Sequence, residues 1–157
     1  MRAENATLAD SLTSLTAERK APSVEPIEVF RFQVRVYWED TDAGAVVFYA
    51  NYLKFFERAR TEWLRSLGFG QEAMRQHDGV MFVVAETHLR YLRPARLDDA
   101  LDITVAVLTR RAASLDVAQR CLRGDELIAE GTIRIGCVDA GTFRPQRIPL
   151  SLLQCLP

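Results

Sequence analysis

Between Asn51 and Leu67 the chain carries one uninterrupted apolar stripe. Tyr52, Phe55, Phe56, Ala59, Trp63 and Leu67 recur at spacings of three and four, the period of a helix. Lys54, Glu57, Arg58, Arg60, Glu62 and Arg65 fill most of the other positions. Asn51 is the expected N-cap, although Lys54 three residues on gives no capping box. Gly68 stands where a left-handed terminator belongs. A helix of about 17 residues is about 25 Å long. With four aromatic side chains on one stripe it cannot stand in water. It needs a broad apolar surface to lie on, and the rest of the chain has to provide it.

The other segments read as strands. Phe30, Phe32, Val34 and Val36 alternate with Arg31, Gln33 and Arg35 across Val29–Trp38. After a connector over Gly68–Gly79, with a short helix through Glu72–Gln76, a long strand runs from Val80 to Leu92. It is apolar on both faces over Met81–Ala85 and alternating from Glu86 onward. Arg93–Arg96 and Asp98–Asp99 make a turn. Leu101, Ile103, Val105 and Val107 define a third strand; Leu115, Val117, Gln119 and Cys121 line a fourth. A fifth is lined by Leu127, Ala129, Gly131, Ile133, Ile135 and Cys137, and Pro145 and Pro149 close the chain. The links at Arg110–Ala113 and Gly124–Asp125 are short enough for hairpins. One long helix and about five hairpin-linked strands predict an α+β domain with an antiparallel sheet wrapped around the helix. Residues 1–27, rich in Ala, Ser, Thr and Glu, read as a mobile N-terminal extension, and residues 28–157 as a single domain.

A length of 157 residues suits one core. The net charge of −1 gives no electrostatic case for nucleic acid or an anionic membrane. No apolar run approaches the roughly 18 residues of a membrane span, and Met1–Lys20 lacks the pattern of a signal peptide. Three cysteines without a C-x-x-C argue against a disulfide framework or zinc site and suit a reducing cytoplasm. His77 and His88 are too few for most His-based metal sites. No metal or cofactor is expected.

The loop before the helix carries the candidate chemistry. Glu39, Asp40 and Asp42 put three carboxylates within four residues, between the apolar strand end and the run Ala45–Phe48. Such crowding disfavours ionisation. One reading is a solvated acidic turn with a capping Asp. The other is a catalytic carboxylate at the mouth of a helix N-terminus, where backbone N–H groups and the dipole can polarise a substrate carbonyl. D-T-D-A-G fails as a calcium loop, because Gly44 takes the fifth position and Asn51 the twelfth, where a bidentate Glu belongs.

Three stretches, VYWEDTDAGAVVFYANYLKFFERARTEWLR (36–65), FVVAETHLRYLRPARLDD (82–99) and CVDAGTFRPQRIP (137–149), resemble the hotdog-fold acyl-CoA thioesterases. Within them the chain is most similar to the 4-hydroxybenzoyl-CoA thioesterase branch and its Tol–Pal-associated (YbgC-type) members. The resemblance covers roughly residues 29–150. It implies a hotdog fold, hydrolysis of acyl-CoA thioesters, and Asp42 as the catalytic carboxylate. It also implies that the backbone N–H of Tyr49 polarises the thioester carbonyl. Arg110 and Arg111 then lie where related enzymes place basic residues against the CoA phosphates, with Val47, Phe48 and Ser114 as further substrate-binding positions. The Tol–Pal-associated members usually carry His where this chain has Tyr49, whereas the 4-hydroxybenzoyl type carries Tyr. The acyl group stays open between short aliphatic, longer fatty and aromatic.

Thioester hydrolysis needs a base or nucleophile and an oxyanion donor. Asp42 can activate water or attack to give a mixed anhydride, and sequence does not choose. Glu39 and Asp40 read as supporting or solvated, and Glu57, in its E-R-A-R setting, as part of an exposed ion-pair face. His88 reads as a strand residue pairing with Glu86 or solvent, and His77-Asp78 as a loop pair with no G-x-S-x-G nearby. A hotdog hydratase or dehydratase normally wants a His with a carboxylate, and residues 36–67 contain none. A non-catalytic acyl-CoA-binding or interaction module is the other alternative; a pure binder gains nothing from a buried Asp42. The unpaired sheet edges and the two-sided apolar strand Met81–Ala85 call for a second copy, so a homodimer or homotetramer is expected.

Overall fold

The computed structural model describes residues 29–156. The extension expected over residues 1–27 lies outside the described residues. Strands β1 (Phe30–Arg35), β2 (Val80–Tyr91), β3 (Ala100–Arg110), β4 (Ser114–Arg123) and β5 (Glu126–Asp139) form one sheet in the order β1-β3-β4-β5-β2. Every pairing is antiparallel. Helix α1 (Asn51–Ser66) packs on this sheet, α2 (Gln71–His77) follows it, and α3 (Leu150–Cys155) ends the described chain. This is the hotdog arrangement, one long helix held by a five-stranded sheet.

The apolar stripe seats α1. Tyr52, Phe55, Phe56, Ala59 and Trp63 are buried and share one core with Ile103, Leu115, Val117, Ile133 and Ile135 of the strands. A fully buried Phe contributes about 1.5–3 kcal/mol by transfer from water, so Phe55 and Phe56 alone bind the helix firmly. Gly68 takes the left-handed conformation (φ +89°) and ends the helix as expected.

Three expectations are corrected. Asn51 is not the N-cap; Ala50 holds that place, and Asn51 is the first helical residue. Its side chain is buried, with Nδ2 donating to the Asp40 carbonyl (3.0 Å). The amide is spent on a buried carbonyl of the preceding loop, where an unmet acceptor is costly. Arg60 does not belong to a solvated face. It is 8% exposed and donates to Gln119 Oε1 (2.7 Å), while Gln119 Nε2 donates to the Phe56 carbonyl (3.0 Å). Pro149 does not end the ordered chain, because α3 follows it and buries Leu152.

The change of character midway along β2 has a local cause. Its pairing with β5 shifts between Val84 and Glu86, a bulge at Ala85 that resets the alternation. Beyond the bulge β2 and β5 run unusually close at Gly131. A Cβ there would sit 2.3 Å from the His88 carbonyl oxygen and 2.7 Å from Leu89 Cδ1.

Candidate active site

β1 delivers the chain to the acidic loop at the end of the sheet where Arg35 pairs with Ala100. Val36 continues the pairing, donating to the Asp99 carbonyl and accepting from Asp98 N–H, both at 3.0 Å. A short 3-10 turn at Trp38–Asp40 then bends the chain. Asp40 is 3% exposed, and its carboxylate accepts the Tyr37 N–H (2.9 Å). Asp40 is therefore the structural carboxylate of the trio, locking the turn from inside.

Asp42 has the opposite environment. It is exposed, at the start of a tight loop closed by a Thr41–Val47 bridge and by Asp42 N–H to the Val46 carbonyl (3.0 Å). Its Oδ1 accepts the Gly44 N–H (2.8 Å), and Oδ2 has no partner among the described residues. A Cβ at Gly44 would approach Asp42 Oδ1 to 3.0 Å, so glycine lets the carboxylate fold over the loop. Ala45 turns the chain with φ +58°. The three carboxylates are thus divided between inside and outside, and among the described residues no cluster of three or more His, Cys, Asp or Glu side chains is arranged to hold a metal. Asp42 is exposed rather than buried, so its carboxylate does not by itself speak against a binding module.

The return limb brings the chain into α1. Val47 is buried and donates to the Ala95 carbonyl (2.8 Å), and Phe48 N–H donates to the Asp40 carbonyl (2.8 Å). Asn51 N–H in turn donates to the Phe48 carbonyl (2.8 Å). Tyr49 and Ala50 N–H, just before the helix, meet no acceptor among the described residues. They stand at the positive end of a 16-residue helix. Phe48 is 42% and Tyr49 62% exposed, their rings 4.7 Å apart.

A cleft of about 300 Å³ lies beside this entrance, lined by Val47, Tyr49, Tyr52, Tyr91 and Arg93 among others. Tyr52 Oη accepts the Ala95 N–H (3.1 Å), and Tyr91 Oη donates to the Tyr49 carbonyl (3.0 Å). Burial raises the Tyr52 phenol above its ordinary value; burial, then the neighbouring Tyr49, raises Tyr91. Both stay protonated at neutral pH. A larger cleft, about 540 Å³, runs between α1 and β2 with apolar walls from Leu53, Val84 and Ile133 and polar ones from Glu57 and Arg60. Among the described residues Glu57 makes no ion pair; it accepts the Thr61 hydroxyl (2.7 Å).

Arg110, Arg111 and Ser114 are elsewhere. They close the β3–β4 hairpin, where Arg111 N–H donates to the Ser114 carbonyl (2.8 Å). Arg110 donates to the Leu156 carbonyl (3.1 Å), and Arg111 pairs with Asp116 (2.8 Å). Asp116 also takes Arg134, and these two arginines, Arg134 first, hold its carboxyl below the usual range. The 11 residues of β3, about 33 Å of strand, separate the hairpin from the end of the sheet that carries Asp42. One chain does not bring the two groups together.

His88 pairs with Glu86 (2.9 Å), as expected. Asp40, read as supporting or solvated, is the supporting one, whereas Tyr91 gave no sign of a place beside this loop. An aromatic closing a strand just before an Arg-Pro turn is the only signal Tyr91 gives; its hydrogen bond to the Tyr49 carbonyl spans 42 residues of sequence.

The thioesterase-like superfamily profile matches residues 36–156. The chain belongs to that superfamily. Among curated members, the acyl-CoA thioester hydrolase YbgC of Escherichia coli O6:H1 is 43% identical over 126 residues, 80% of this chain and 93% of that one. The acyl-CoA thioesterase YbgC of Haemophilus influenzae is 42% identical over 120 residues, 76% and 88% of the two chains. Among solved structures, a probable thioesterase from Bartonella henselae matches with a TM-score of 0.75 at 33% identity, covering 78% of this chain and all of that one.

Proposed function

We propose that this protein hydrolyses acyl-CoA thioesters to free acid and CoA. Asp42 acts as base or nucleophile, and the Tyr49 N–H polarises the thioester carbonyl. The observation that carries the reading is the pairing of a one-sidedly anchored carboxylate with an unengaged N–H at a helix entrance, in a chain 43% identical to an acyl-CoA thioester hydrolase. The oxyanion that forms on attack by water or carboxylate is stabilised by the N–H and the helix dipole. CoA leaves as the thiolate and is protonated. Where water attacks, Asp42 takes the water's proton and passes it on; where Asp42 attacks, water then hydrolyses the mixed anhydride to release the acid and restore the carboxylate. The cleft between α1 and β2 offers the acyl group apolar walls. A hydratase reading lacks a His in the loop or α1: His88, although paired with Glu86, is on β2 with its side chain 74% exposed.

The site is shared between copies of the chain in a homodimer or larger homo-oligomer. Two features support this. The β2 edge is open, with Val84 54% exposed, and Arg110 and Arg111 are a strand length from Asp42 of their own chain. A cytoplasmic home is supported by three free cysteines, two of them buried.

Free-thiol release from a panel of acyl-CoAs tests the reading. Turnover of at least one acyl-CoA is expected. Tight binding of acyl-CoA without release of thiol would replace the enzyme with a binding module.

A further inference from the structure

The peptide units on either side of the Tyr49 Cα are both pinned through their carbonyls. The Phe48 carbonyl, in the same peptide as the Tyr49 N–H, accepts Asn51 N–H at 2.8 Å. The Tyr49 carbonyl accepts the Tyr91 hydroxyl at 3.0 Å. The first bond is local, from the turn that begins α1. The second crosses 42 residues of sequence, from the last residue of β2. The Tyr91 ring is itself wedged between two others, edge-on to Tyr49 (6.3 Å, 88°) and tilted against Tyr52 (5.5 Å).

We infer that Tyr91 is a positioning residue for the reaction: its hydroxyl, bonded to the Tyr49 carbonyl, fixes the peptide that follows the oxyanion donor and so aims the Tyr49 N–H. The inference rests on the reading of Tyr49 given above. A donor contributes to catalysis only when it is held where the oxyanion forms. With only the Phe48–Tyr49 peptide tied, its plane, which carries the Tyr49 N–H, can still tilt by paired changes of φ and ψ at Tyr49. With both tied, its direction is set before substrate arrives. Because the Tyr91 phenol is raised by burial and by Tyr49, the hydroxyl remains a donor across the neutral range.

Tyr91→Phe isolates the hydroxyl, since the ring and its two aromatic contacts remain. Steady-state kinetics would use the acyl-CoA that the wild-type protein turns over best, with a thermal melt alongside. Binding would be compared for two CoA thioethers: the trifluoroacetonyl compound, whose activated ketone adds a nucleophile to give an oxyanion, and the propyl compound, which has no carbonyl. The expected result is a fall in kcat of about tenfold, the scale of one hydrogen bond, with KM and melting temperature unchanged. Affinity for the trifluoroacetonyl thioether should fall by the same factor, and affinity for the propyl thioether should hold. Unchanged kcat overturns the inference. So does a loss in which both thioethers weaken together or the melting temperature falls, because that pattern belongs to a residue that merely builds the loop. If the wild-type protein releases thiol and the Tyr91→Phe variant does so equally, only the assignment of Tyr91 fails. If the wild-type protein releases none, the thioesterase reading fails and the assignment falls with it.

Discussion

Asp42 and Asp40 are separated by one residue and have opposite fates. Asp40 is buried and bonded to Tyr37 N–H, whereas Asp42 is exposed, with one oxygen on Gly44 N–H and the other open. Asp42→Asn keeps the acceptor for Gly44 and removes the charge, so the loop keeps its shape. It should lower kcat by about 10²-fold or more, the scale of a lost base, with the urea midpoint unchanged. Near-wild-type turnover in the folded variant would sink the assignment. Sequence could find the trio but not this division. Charge and spacing are written in the residues, whereas which carboxylate turns inward depends on where the 3-10 turn meets the β3 end. Tyr91 was illegible for the same reason, its partner lying 42 residues away.

At the scale of elements, α1 and the strands were readable because burial imposes a period. The stripe from Tyr52 to Trp63 is the buried face, and Leu115, Val117, Gln119 and Cys121 are all fully buried. What period could not show is a polar pair inside that face, Arg60 with Gln119, or a six-residue helix after Pro149 too short to display a repeat. The β2–β5 contact is a further case, since Gly131 looks like any small strand residue until the His88 carbonyl is placed against it. Gly131→Ala forces backbone apart and should destabilise by about 1–3 kcal/mol, measured as a lower urea midpoint; an unchanged midpoint would show that the two strands can separate freely. The end of β5 adds a pH-dependent element. Asp139 accepts N–H and hydroxyl bonds from Thr142 and an N–H from Gly141, which hold its carboxyl below the ordinary value. With the folded pKa depressed, the stabilisation is complete above the ordinary carboxylate pKa and fades as pH falls through the folded one. The urea midpoints of wild type and Asp139→Asn should therefore differ at neutral pH and converge in acid. A gap that persists at low pH would refute this.

The whole molecule poses a problem that one chain does not solve. β1 and β2 are the outer strands of an open sheet, and an unpaired edge is a template for another chain. Arg110 and Arg111, the cations expected to meet the CoA phosphates, end β3 opposite to the Asp42 loop. In the proposed dimer a two-fold pairs β2 with the β2 of the second copy and brings one chain's hairpin toward the other chain's loop. Light scattering should then find a species well above the 17.8 kDa of one chain, and an active monomer at micromolar concentration would refute the arrangement. A mixed dimer asks the sharper question. One chain carries Asp42→Asn and the other Arg110→Ala with Arg111→Ala, purified through two different tags and assayed at substrate well below KM, where loss of phosphate contacts is felt fully. If each site takes Asp42 from one chain and the arginines from the other, one site carries every lesion and its companion carries none. Activity should approach half of wild type. If each chain were self-contained, both sites would be damaged and activity would lie midway between those of the two parental dimers. Half-activity in the mixture, with both parental dimers nearly inactive, is a result that only a site assembled from two chains produces.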